Sequence, residues 1–93
     1  MKYLKDLENQ FVEVDGNKIT FTIQDGLIPE VGVNGLQASD LIMAIRKIFD
    51  ALNKDIPCRE NSLTITHLDE AWNWQFRRTL DRQQRGVEGT DLL

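Results

Sequence analysis

One cysteine, Cys58, and one histidine, His67, are the only thiol and imidazole in this 93-residue chain. A lone cysteine excludes an intrachain disulfide and fits a reducing compartment. With no second histidine and no cysteine at a ligand spacing, no metal site is expected, and His67 is read as a packing residue of a core or interface. Long apolar runs are missing too: nothing approaches the roughly 18 residues that suggest a membrane span. The opening MKYLKDLENQ lacks the uninterrupted apolar core of a signal peptide. The expectation is a protein of the cytoplasm with no membrane partner.

Positive charge is scarce overall. Eleven Lys and Arg face 15 Asp and Glu, for a net charge of −4, which argues against gripping polymeric nucleic acid through a broad basic surface. Signatures of catalysis are scarce as well. There is no P-loop and no GxGxxG fingerprint; Gly32 and Gly35 are too close together and no lysine follows them. Nothing orients His67 toward Cys58, although a place near a helix start can lower a thiol pKa. Asp69 and Glu70 are helix neighbours whose side chains diverge, a poor acid/base pair whose expected role is solvation. The chain is read as a binder without catalytic residues or cofactor.

What is present, 41% hydrophobic and 28% charged residues, is the composition of an ordinary folded domain. At this length the chain is one domain that buries only a modest share of its surface, so self-association helps it. Residues 1–37 read as a small β-sheet region and residues 38–90 as a helical hairpin. Tyr3, Leu4 and Leu7 are spaced for a short helical face. Residues 11–14 and 19–23 alternate apolar and polar side chains around Asp15-Gly16-Asn17, which predicts an antiparallel hairpin. After Asp25-Gly26, residues 27–33 are expected as a short third strand, confined by Pro29 to an edge or a strand beginning.

Asn34-Gly35 is another turn, and Ser39-Asp40 is a helix start. Leu41, Ile42, Ile45, Ile48, Phe49 and Leu52 then recur at helical spacing and predict a first helix of about 14 residues. Residues 53–57 supply polar residues and a proline that separate it from the second. That second helix is predicted from near Arg59 to a glycine stop at Gly86, about 26 residues or roughly 39 Å. The first helix covers only part of it, so the remainder projects or packs on another copy.

On this long helix Ile65, Leu68, Trp72, Phe76 and Thr79 form one stripe, and Trp74, Arg78, Arg82 and Arg85 another on the opposite side. Arg78, Arg82 and Arg85 lie at i, i+4 and i+7. Their guanidinium groups either converge on one compact anion, for which the fixed fork of donors is suited, or interact with the negative helix end and stay solvated. Trp74 is either an interface anchor or a surface on which a base stacks. Asn61 stands about 17 residues before Arg78, roughly 26 Å along one helix. The two can share a small ligand only if antiparallel packing brings one subunit's helix start to the other's helix end.

The blocks CRENSLTITHLDEAWNW and RRTLDRQQRGVEGT, with GLIPEVGVNGLQASDLI before them, resemble the phage anti-Thoeris sponge proteins, whose helical hairpin is similar to that of phage anti-CBASS cyclic-nucleotide sponges. The likeness covers residues 26–90. It implies a protein acting in the host cell cytoplasm that sequesters, without degrading, a cyclic ADP-ribose isomer made by a TIR-domain enzyme. That ligand carries an adenine, two riboses and a pyrophosphate. The resemblance puts Arg78 and Arg82 on the phosphates and Asn61 on a polar group, with Phe49, Trp74 and Arg85 as further candidates. Phe49 stands in for the family's base-stacking phenylalanine; in the turn before CREN, where the family commonly carries an aromatic, this chain has Asp55-Ile56-Pro57. Lys54 and Arg59 are the cations for a second, cyclic-oligonucleotide site, and a homodimer or hexamer is implied. The competing reading, from the residues alone, is an adaptor that binds a protein through the Trp74 face.

Overall fold

The computed structural model describes residues 11–93. The helical face read at Tyr3, Leu4 and Leu7 lies outside the described residues. Along the chain come β1 (Phe11–Val14), β2 (Asn17–Thr20), α1 (Ile28–Val31), α2 (Ala38–Asp55) and α3 (Arg59–Gln84), an α+β arrangement with a two-stranded antiparallel sheet ahead of a helical hairpin. The described residues fall into two compact units, 11–37 with 89–91, and 38–88 with 92–93. No helix among the described residues is long and apolar enough to cross a membrane.

In the first unit Phe11 pairs with Thr20 and Val14 with Asn17. Asp15 and Gly16 close the hairpin with φ of 51° and 81°, the paired left-handed conformation that matches strand twist in two-residue turns. Across the sheet face Lys18 Nζ sits 4.1 Å from the centre of the Phe11 ring. β2 stops at Thr20, short of the expected 19–23, and Ile23 instead forms a parallel bridge with Leu36.

The third strand expected over 27–33 is absent, and α1 takes its place. Pro29 is compatible with both readings. Its missing N–H costs nothing in a helical first turn, where that donor has no partner, and its fixed φ is already helical. The Leu27 carbonyl accepts from the amides of Glu30 and Val31, and Gly32 closes the turn at φ 74°.

Gln24 holds the rest of this segment together. Its side chain is buried, Nε2 donates to the Gly32 carbonyl at 2.9 Å, and Oε1 accepts from the Asn34 amide at 2.9 Å. Asn34 in turn accepts from the Asp25 amide through Oδ1 and donates to the Asp25 carbonyl through Nδ2. Buried polar atoms are thereby satisfied, without which each would cost a desolvation penalty.

In the second unit α2 is 18 residues long, beginning at Ala38 and continuing past the expected end to Asp55. Asp50 and Lys54 make an i, i+4 ion pair at 3.0 Å on the added turn. Pro57 follows and ends the helix, as a residue that cannot continue the amide ladder does. α3 runs 26 residues to Gln84 as expected. Its end has the glycine stop with both of its hydrogen bonds: Gly86 donates to the Gln83 carbonyl, Val87 donates to the Arg82 carbonyl, and Gly86 has φ 73°.

The helices run antiparallel. Arg46 Nε donates to Asp69 Oδ1 at 2.8 Å, and Asn53 Nδ2 donates to Ser62 Oγ at 3.2 Å. The hydrogen bond and charge of Asp69 hold the Arg46 guanidinium above its ordinary pKa. Asp69, expected only to be solvated, is thus a cross-helix partner. Asn53 also accepts from the Cys58 amide through Oδ1, so a residue expected in the connecting loop clamps the hairpin turn from inside α2. Ile65, Leu68 and Trp72 face α2 and are half-buried, whereas Ile45, Ile48 and Leu52 of α2 stay about half exposed. Among the described residues no hydrophobic side chain is fully buried.

Gly35 provides a test of the loop packing. A Cβ built there lies 2.5 Å from the Ile23 carbonyl carbon and 2.6 Å from the Gln24 amide nitrogen, with backbone on both counts and no side chain to yield. Gly35→Ala is expected to destabilise the 21–37 segment by about 1–3 kcal/mol, the usual range for overpacking. The check is amide exchange at Gln24 and Leu36, which must accelerate.

Candidate functional site

The candidate residues distribute over the two ends of the hairpin. Each step back along α2 from Asn53 and Arg46 is matched by a step forward along α3 from Ser62 and Asp69. Lys54 therefore lies level with Asn61, and Ala38 level with Arg77. The turn end carries Lys54, Arg59 and Asn61. The far end, beyond the reach of α2, carries Arg78, Arg82 and Arg85. Phe49 is half-buried on α2, about two turns before the hairpin connection.

At the turn end Cys58 is the N-cap of α3, and its Sγ accepts from the Asn61 amide at 3.4 Å. This gives the cysteine a structural role and fixes the backbone that carries Asn61. Lys54 is engaged by Asp50. Arg59 is the first residue of α3 and is exposed. His67 is exposed rather than packed in a core, with Nδ1 3.3 Å from Glu70 Oε2.

At the far end the arginines behave differently from one another. Arg78 is exposed. Arg82 is 7% exposed, because the chain after Gly86 folds back over it. Its Nη1 donates to the Leu92 carbonyl at 2.7 Å, Nη2 donates to the Val87 carbonyl at 3.0 Å, and Nε lies 3.3 Å from Glu88 Oε2. Arg85 donates through Nε to Asp81 Oδ2 at 3.0 Å and through Nη1 to the backbone oxygen of Leu93 at 2.6 Å. The helix spacing that put Arg82 and Arg85 on one face is retained, but the segment that covers Arg82 has no signature in that spacing.

Trp74, 66% exposed, lies on the outer side of α3 with the Arg77 guanidinium 5.4 Å from its ring centre. Trp72 stacks on Phe76 at 5.4 Å and 10°, and this pair continues the α2-facing stripe to where α2 ends. Glu70, Asn73, Trp74, Phe76, Arg77 and Leu80 surround an open hollow of ≈ 470 Å³. Arg78 is not among them. The structure thus separates an aromatic hollow from the Arg82 cluster on the same stretch of helix.

α3 is unbroken from Arg59 to Gln84, so Asn61 and Arg78 remain roughly 26 Å apart at 1.5 Å per residue. One chain does not bring them together.

The family model of the Acb2/Tad1 hairpin domain matches residues 15–79. Asn61, Phe49, Trp74 and Arg78 fall inside that match, and Arg82 and Arg85 beyond it. The chain is also 45% identical to Thoeris anti-defense 1 of Bacillus phage SBSphiJ7 over 76 residues, which are 81% of this chain and 54% of that protein. It therefore spans about half the length of the curated relative it matches.

The thiol cap is open to a direct test. A hydroxyl oxygen is a stronger acceptor than a thiol sulfur, and serine is among the preferred N-cap residues. Cys58→Ser is expected to stabilise the hairpin by about 0.5 kcal/mol or more and Cys58→Ala to weaken it. Thermal unfolding followed by helical circular dichroism reads both, and the order Ser above Cys above Ala is the required result.

Proposed function

The chain belongs to the Acb2/Tad1 hairpin-domain family, and on that footing we propose that it is a phage anti-defence sponge acting in the host cell cytoplasm. In this reading it binds and sequesters a cyclic ADP-ribose isomer made by a TIR-domain enzyme, blocks Thoeris immunity, and leaves the signal chemically intact. The observation that carries it is the arginine cluster on the part of α3 that α2 does not cover, Arg78, Arg82 and Arg85. Guanidinium groups meet a pyrophosphate with paired, charge-assisted hydrogen bonds, and a small local surplus of cations in an acidic chain suits a compact anion better than a polymer.

The site is shared between subunits. Two copies pack antiparallel, so that Asn61 of one reaches the ligand held by Arg78 and Arg82 of the other. Two features support self-association: apolar side chains on α2 and α3 that stay about half exposed, and the absence of a fully buried hydrophobic side chain among the described residues. Covering this surface is favourable by about 25 cal/mol per Å². Phe49 and Trp74 are the aromatics proposed to stack on the base, and Arg85 adds a further cation. The assembly is a homodimer, extended to a hexamer where Lys54 and Arg59 form a second site for cyclic oligonucleotides.

A second reading has a specific feature in its favour. The hollow around Trp74 has the exposed aromatic of a protein-binding anchor, and an adaptor acting there binds a protein and ignores nucleotides.

Calorimetry with cyclic ADP-ribose isomers separates the two. The sponge reading requires tight binding and unaltered ligand on release, read by mass spectrometry; no binding to any isomer, or recovery of a cleaved product, would sink it. Arg78→Ala is expected to weaken binding by about 10- to 100-fold, the worth of one or two hydrogen bonds to a charged group, with the sedimentation coefficient unchanged.

The shared site makes a sharper prediction. Asn61→Ala and Arg78→Ala chains, each weakened in every site, capture little ligand alone at a concentration between the wild-type and variant dissociation constants. Mixed in equal amounts and reassociated, they form heterodimers in which one of two sites holds both wild-type residues. Capture should return to roughly a quarter of the wild-type capacity, as random pairing in a two-fold dimer dictates. Absence of any recovery places both residues in one subunit's site and removes the antiparallel arrangement.

A further inference from the structure

The block Cys58-Arg59-Glu60-Asn61 has the frame of a capping box. In that motif the N-cap side chain accepts from the amide three residues on, and the side chain at that position returns a bond to the N-cap amide. Half of the exchange is present. Cys58 is the extended N-cap of α3, and its Sγ accepts from the Asn61 amide at 3.4 Å. The return bond comes from elsewhere: the Cys58 amide donates to Oδ1 of Asn53, in the last turn of α2, at 3.0 Å. The other end of the same carboxamide, Nδ2, donates to Ser62 Oγ at 3.2 Å. One half-buried side chain of α2 thus holds both the cap of α3 and the residue next to Asn61.

We infer that Asn53 is a positioning residue for ligand capture: by occupying the Cys58 amide it keeps the Asn61 carboxamide from turning back to cap its own helix, and leaves it available to the ligand. The inference rests on the sponge reading for the role of Asn61 and on the contacts of Asn53 for the rest. Asparagine suits the task because its carboxamide accepts at one atom and donates at the other. An Asn61 side chain bonded to its own helix start has to give up that bond before it binds, which lowers affinity. The clamp is tied to the site because the amide it occupies is the one Asn61 is placed to cap.

Two asparagines and one amide give a definite order of hydrogen exchange at Cys58 with no ligand present. Asn61→Ala leaves the amide as protected as in the wild-type chain, because Asn53 holds it. Asn53→Ala keeps part of the protection, as Asn61 turns back to the vacated amide, and the doubly substituted chain loses it. Helical circular dichroism confirms that α2 and α3 remain folded. Protection lost in Asn61→Ala, or lost in full in Asn53→Ala alone, overturns the inference.

Calorimetry with cyclic ADP-ribose isomers reads the consequence. Asn53→Ala is expected to weaken binding as Asn61→Ala does, by about three- to tenfold, the usual contribution of one neutral hydrogen bond. The double substitution then stays within about twofold of Asn61→Ala alone, since both remove the same contact. A clamp that serves only the stability of the hairpin gives factors that multiply. Asn53→Asp separates occupancy from charge: its carboxylate accepts from the Cys58 amide and from the Ser62 hydroxyl, so Asn61→Ala on that background has its full effect. The added charge is common to both chains of that comparison and cancels. Factors that multiply between Asn53→Ala and Asn61→Ala, or an Asn61→Ala without effect in the Asn53→Asp chain, overturn the inference alone. No binding of any isomer by the wild-type chain is failure of the sponge reading, and exchange at Cys58 still decides which asparagine holds the amide.

Discussion

α2 ends its cover of α3 at about Arg77, and the open surface of the hairpin follows from that unequal length. α2 has 18 residues and α3 has 26, and the antiparallel register set by Arg46 with Asp69 and Asn53 with Ser62 places the surplus wholly at the C-terminal end of α3. A helix that continues past its partner must satisfy its outer turns with water, with another chain, or with its own tail. Arg82 and Arg85 use the tail. Trp74, Phe76 and Leu80 remain open, so the same stretch presents polar groups that are partly satisfied and apolar groups that are not.

The ion pair between Arg46 and Asp69 deserves comparison with the cluster around Arg82, since both join a guanidinium to a carboxylate. The first is partly exposed and two-pointed, at 2.8 and 3.4 Å. Exposed pairs of this kind contribute little to stability and set register more than they stabilise. The second buries the guanidinium and adds two carbonyls to one carboxylate. A buried charge is tolerated when its remaining donors find acceptors, which is the condition met here. Removing Arg82 therefore disturbs more than a local charge, because two carbonyls and a carboxylate lose their donor together.

Much of the hairpin was legible in the amino-acid order because its signals are local. The spacing from Leu41 to Leu52 has a helical period, Pro57 cannot continue a helix, and Gly86 is a helix stop; these located both helices, and α3 has the length expected. The clamp by Asn53 was not legible, because polarity near a helix end reads equally as loop. Pro29 is ambiguous for a physical reason, as a residue without an amide proton suits both a strand edge and a helical first turn. Gln24 gives no sign of burial in its own type, and only the close approach at Gly35 shows how tightly its loop is drawn. At the candidate site, helix periodicity sets Arg78 and Arg82 one turn apart on α3, with Arg85 at its C-cap. It carried no information on which of them the returning tail would cover, since that depends on Gly86, Glu88 and Gly89 acting together.

The length of α3 also limits what one chain can do alone. A ligand the size of a cyclic dinucleoside cannot bridge Asn61 and Arg78 across roughly 26 Å of straight helix, and no hinge interrupts α3 to shorten the path. If both residues serve one ligand, they must come from different chains, and the chains must run in opposite directions. Ile45, Ile48 and Leu52 stay about half exposed, apolar area that a second chain would remove from water by covering it. Stability and ligand capture then depend on a single event. A chain that buries no hydrophobic side chain fully among its described residues has a physical reason to associate whether or not a ligand is present, so any site built from two chains would be assembled before its ligand arrives.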